Sequence, residues 1–127
     1  MNRQRRLLNF VLIAALGGFL LSAVPAGAHH GWRWAEDGNF EITGDIVEAQ
    51  LGNPHGVVHI DVNGERWSIE VGQPWRNERA GLTDDHFAKG REITASGHRS
   101  KDPNERRVKA ERVMIDGKTY DLYPERK

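Results

Sequence analysis

Val57-Val58-His59-Ile60-Asp61-Val62-Asn63-Gly64-Glu65-Arg66-Trp67-Ser68-Ile69-Glu70-Val71 alternates apolar and polar residues on both sides of an Asn-Gly pair. That is the pattern of two antiparallel strands joined by a two-residue turn. Val58, Ile60 and Val62 share one face of the first arm, and Trp67, Ile69 and Val71 point inward from the second. Upstream, residues 40–51 are rich in β-branched side chains, but the apolar set changes phase from Phe40 and Ile42 to Val47, Ala49 and Leu51. A long strand with a bulge or kink near Gly44 accounts for the change. Asn53-Pro54-His55-Gly56 forms the turn between these strands. Downstream, Pro74 suits the first turn of a short helix over 75–80 that stops at Gly81, and Thr83 caps a further turn through Phe87. Strands follow over 91–97 and 108–115, and Asp116-Gly117 turns the chain into a last short strand over 119–123. The fold expected is mainly all-β: a small OB-like Greek-key barrel of five to six strands, with one short helix between strands 3 and 4 plugging an end. A non-OB small barrel or a half-open meander is the alternative topology.

The start of the chain reads differently. Arg3, Arg5 and Arg6 precede a largely apolar stretch from Leu7 to Leu21, and small residues lead to Ala26-Gly27-Ala28. This is the order of a cleavable signal-peptide helix over residues 1–28, followed by a single domain over 29–127. The apolar stretch is shorter than the roughly 20 residues that a spanning helix needs, so cleavage is expected and a stable membrane anchor is not. Arg5-Arg6 is followed by Leu7-Leu8-Asn9, a loose fit to a twin-arginine signal, so the general secretion route to a periplasmic or secreted location is expected.

Cleavage removes three arginines and no acid, so the 18 Lys and Arg fall to 15 against 18 Asp and Glu, a net charge of −3. Nucleic acid is therefore not an expected partner: Arg99, Lys101, Arg106, Arg107 and Lys109 cluster, but Asp102, Glu105 and Glu111 interleave with them, as on a solvated turn. With no cysteine, thiolate metal sites, disulfides and thiol redox chemistry are excluded.

Six histidines remain. If the cut follows Ala28, His29 offers its free amine and its ring nitrogen to one metal, and a third nitrogen completes a T-shaped set. If it follows Ala26, His29 stands third, where amine, two amides and imidazole wrap a metal in a square plane. Both nitrogen-rich geometries suit Cu(II). His29, His30 and His55 are the candidate metal ligands, with the proline before His55 stiffening its turn; Glu70 and His59 are candidates for supporting contacts. Histidines after a signal peptide are also commonly solvated and idle. No nucleophile elbow, zinc-protease or phosphate-loop pattern occurs, so no catalytic residue is assigned. Trp67 reads as core, Trp32 and Trp34 as pins for the new terminus, and Trp75 as part of the barrel plug. In a metal-free alternative, Trp32, Trp34 and Trp75 form the face of a module that binds a small molecule or protein partner. An oxidative copper enzyme is a third, weaker reading, because no substrate platform or route for electron delivery is evident.

Three features together, the His29-His30 start, Asn53-Pro54-His55, and Glu70-Val71-Gly72-Gln73-Pro74 followed by Arg79, Gly81 and Leu82, resemble a bacterial exported family known as domain of unknown function 6152. Gly52 stands where threonine is usual in that family, and Trp67-Ser68-Ile69-Glu70 fits its Trp-x-x-Glu strand. The resemblance implies export and the motif boundaries, and it brings no activity. The mass of the protein recovered after export tests the processing: the expected chain begins at His29, or at Gly27 for the earlier cut, whereas a mass that retains Met1 to Ala28 overturns it.

Overall fold

A computed structural model describes residues 31–126. The predicted signal segment, His29 and His30 lie outside the described residues. The elements are β1 (Phe40–Gln50), β2 (Val57–Val62), β3 (Glu65–Glu70), α1 (Pro74–Arg79), a 3-10 turn over Asp84–Phe87, β4 (Glu92–Arg99), β5 (Arg107–Ile115) and β6 (Lys118–Asp121). The β2–β3 hairpin turns at Asn63 and Gly64 with φ of 54° and 84°, and the β5–β6 hairpin turns at Asp116 and Gly117 with φ of 52° and 75°. Both are turns that Asn-Gly and Asp-Gly favour, because the two central residues must adopt positive φ.

Antiparallel neighbours run β3-β2-β1-β4-β5, and a parallel pairing of β3 with β5 closes the ring. The result is a five-stranded OB-like barrel with β6 as an extra strand. β4 holds one edge of β5 along most of its length, while β3 takes residues 107–109 of the other edge and β6 takes residues 112–115. The interior is filled by Ile42, Ile46, Val58, Ile60, Ile69, Val108, Val113 and their neighbours, all buried. Among the described residues no helix is long and apolar enough to cross a membrane.

Two bulges set the curvature. In β1 the register against β2 shifts between Ile46 and Glu48, so Val47 is the extra residue and the phase change falls three residues after Gly44. Gly44 has a different role: a β-carbon there would collide with the Asp61 carbonyl, so the glycine lets β2 approach closely. In β5 the shift lies opposite Ser96 and Gly97, leaving Glu111 unpaired in the ladder. Gly97 packs directly on the Lys109 carbonyl, where no β-carbon fits.

The helix does lie between β3 and β4, but Trp75 does not plug the barrel. Its side of α1 faces solvent and the residue is 50 % exposed, whereas Leu82 and Phe87, after the helix, are buried in the core. Gly97→Ala should lower the unfolding free energy by about 3 kcal/mol in a urea titration. Gly52→Ala, where an added β-carbon meets nothing, should stay within about 0.5 kcal/mol of the parent.

Candidate functional site

The register of three strands lines up three ionisable residues on the outer wall of the barrel. Glu70 of β3 and His98 of β4 are both partners of Lys109 in β5, and the alternation that sends Ile69 and Val108 inward sends these side chains outward. Outward here does not mean exposed. Lys109 is 1 % exposed and His98 6 %, although neither lies inside the barrel.

Both chain ends supply the cover. Residues 31–36 run as a strap along the end of β4, held by the Ala35–Ser100 bridge, by Glu36 N–H donating to the Arg99 carbonyl (2.8 Å) and by Lys101 N–H donating to the Trp34 carbonyl (2.9 Å). After β6 the tail returns to the β5 bulge, where Leu122 and Tyr123 N–H groups donate to the Glu111 carbonyl at 2.8 and 3.1 Å. Trp32 of the strap and Tyr123 of the tail meet edge to face at 5.1 Å, and the Lys109 ammonium lies 5.4 and 5.6 Å from their ring centres. The rings thus shield the ammonium from water while their π faces attract it.

Glu70 accepts from Lys109 Nζ at 2.6 Å and from Arg107 at 2.8 Å, and its carboxylate lies 3.5 Å from His55 Nε2. Burial pushes the Glu70 carboxyl upward, but the Lys109 and Arg107 bonds and charges outweigh it and hold the group below its ordinary value. His55 moves down: burial disfavours its charged form, and Lys109 and Arg107 oppose a further positive charge while Glu70 partly compensates. At neutral pH His55 is a neutral imidazole. Its Nδ1 is buried without a hydrogen-bond partner among the described residues.

On the other side of Lys109, His98 Nε2 lies 2.7 Å from Glu111 Oε1, and Arg126 donates to the same oxygen at 2.9 Å. Burial raises the Glu111 carboxyl, and hydrogen bonds from Arg126 and His98 more than offset this and lower it. Ionised Glu111 only accepts, so His98 Nε2 carries the hydrogen. His98 Nδ1 is also buried, with no hydrogen-bond partner among the described residues.

The sequence model of a family of unknown function, DUF6152, matches residues 18–109. The chain belongs to that family. No curated protein matches it. Among solved structures, a chain of the Stn1–Ten1 complex of S. pombe is similar with a TM-score of 0.50 and 13 % identity, over 61 % of this chain and 57 % of that one. A TiaS (tRNAIle2 agmatidine synthetase) structure gives 0.46 and 16 % identity, over 61 % of this chain and 18 % of that one. This chain therefore spans little more than half of the first and under a fifth of the second. The Stn1–Ten1 likeness supports the barrel fold alone.

Of the residues singled out in the sequence, His55 and Glu70 lie side by side. His59 is not joined to them; its Nδ1 lies 3.0 Å from the Ser68 hydroxyl across the hairpin. Trp32 belongs to the cover, Trp34 stacks under the Arg107 guanidinium at 3.8 Å, and Trp75 stands apart between Arg76 and Arg79. Among the described residues no group of three His, Asp or Glu is arranged to hold a metal. Sequence reasoning missed Lys109, expected on a solvated turn, and His98 and Glu111, given no role. Their burial comes from the two chain ends, and no local pattern announces that.

Replacing Glu70 by Gln strands a buried ammonium, so Glu70→Gln should lose about 3 kcal/mol of stability at pH 7. Because the folded-state pKa of Glu70 is depressed, its contribution is present above the ordinary carboxylate value of 4.5 and fades as pH falls through the lower folded value. The gap between parent and variant should therefore narrow below pH 4 in denaturant titrations; a constant gap would show that the charge is not its source.

Proposed function

We propose that this chain is an exported periplasmic barrel protein that binds a copper-type ion through its processed N-terminal histidine, His29, assisted by His30 and by a barrel imidazole, His55. The reading is carried by one observation: His55 is held neutral, and its Nδ1 has no hydrogen-bond partner among the described residues, beside the wall that the N-terminal strap crosses. A metal ligand must be a neutral imidazole with a free lone pair. His29 precedes Trp32 by three residues, and three residues of chain reach at most about 11 Å, so chain length allows an amine created by a cut after Ala28 to reach this wall. Such an ion would serve in trafficking, buffering or sensing.

The rival reading, a metal-free module that presents aromatic rings to a small molecule or protein, has less support. Trp34 is stacked under Arg107 and Trp32 under Arg126 at 3.9 Å, so two of its three rings already have partners.

Calorimetric titration of the mature protein, starting at His29, should show one Cu(II) per chain. The same protein with its terminal amine acetylated should lose at least tenfold in affinity, because that amine can no longer coordinate. Equal affinity in the two forms, or none in the authentic form, overturns the reading.

A further inference from the structure

We propose that the cleft between helix α1 and the end of the barrel binds a small primary ammonium with an apolar body, its carbon body against the barrel end and its charge at Glu78 and Asp84. The site shares no residue with the copper reading and does not depend on it. The cleft has a volume of about 340 Å³, within the range of small-molecule sites. Trp75, turned to solvent, leaves this space unfilled, and the buried Leu82 and Phe87 form apolar walls with Leu51 and Pro74.

One residue fixes both sides of the cleft. The Asn77 side chain accepts from Gly72 N–H at 2.9 Å and donates to the Gly72 carbonyl at 3.0 Å, which ties α1 to the chain leaving β3. The Asn77 carbonyl accepts from Leu82 N–H at 2.9 Å, which ties α1 to the segment that follows it. Asn77 is 6 % exposed, so these bonds are shielded from water and the cleft is formed before a ligand arrives.

Charge selects the occupant. Glu78 and Asp84 are exposed and lie toward the opening, and no Lys, Arg or His lines the cleft. The guanidiniums of Arg76 and Arg91 are engaged by Glu125 and Asp116, and Arg79 lies over Trp75. Asp84 suits the first turn of its 3-10 helix, but Glu78 stands in the last turn of α1, where an acid opposes the helix dipole. Helix stability therefore does not account for Glu78. Carboxylates only accept hydrogen bonds, so the matching head group is a cation that donates them. A bare metal ion would leave the apolar walls unused.

NMR titrations of backbone amides in the mature protein, with a chelator present to exclude metal, compare phenethylammonium with its neutral counterpart phenethyl alcohol and the anion hydrocinnamate. Phenethylammonium should shift the Glu78, Leu82, Thr83 and Asp84 amides saturably and bind about fivefold more tightly than the alcohol, with hydrocinnamate weakest. Glu78→Gln and Asp84→Asn replace exposed carboxylates with amides of the same size, and each should weaken the ammonium about threefold while leaving the alcohol unchanged. Added salt should erode the ammonium's advantage in the parent, which decides the matter if a variant does not fold. Equal affinity for ammonium and alcohol, unchanged ammonium affinity in both variants, a response centred on Trp75 and Arg79, or no saturable shift up to the solubility of the probe overturns the proposal.

Discussion

Closure of the barrel rests on a short seam. β3 and β5 run parallel for only three residue pairs, Ser68 with Arg107, Ile69 with Val108, and Glu70 with Lys109. Parallel pairing is slightly less stable per residue than antiparallel, so a seam this short needs support from side chains. Inside the barrel the Ile69–Val108 contact provides it by apolar burial; outside, the Glu70–Lys109 ion pair does. A buried ion pair costs desolvation that only tight geometry and further bonds offset. Here the geometry comes from Arg107, which shares the carboxylate, and from Trp32 and Tyr123, which exclude water from the ammonium. The two chain ends are thus part of the closure as well as additions to it.

That dependence explains what could be read in advance. The strands, the two turn pairs and the position of the helix were legible, because alternation and the positive-φ demand of Asn63-Gly64 and Asp116-Gly117 act over a few residues. Trp67, Ile69 and Val108 fell inward as alternation requires. The outer wall was legible only at His55 and Glu70. Lys109 sits among alternating residues where a lysine normally faces water, and it is buried because a tryptophan 77 positions earlier and a tyrosine 14 positions later lie over it. Trp75 failed for the converse reason: helix α1 turns it away from the barrel, and Leu82 and Phe87 take the core positions.

The wall also shows how a β-barrel makes a polar site without a cavity. Each strand contributes one residue at one level, and the bulge in β5 turns Glu111 toward His98, out of a strictly alternating ladder. Orientation of the imidazole therefore depends on backbone geometry at Glu111, which the tail secures through its carbonyl.

β5 carries β4 on one edge and both β3 and β6 on the other, with a bulge between the two shared stretches. A single inserted or deleted residue in this strand would break register with three partners at once and exchange interior for wall at Lys109 or at Val113. Length variation among relatives should therefore collect in the 100–106 loop and the 51–56 turn. β5 itself should keep a fixed length even where its residues change, acting as a ruler for the whole domain.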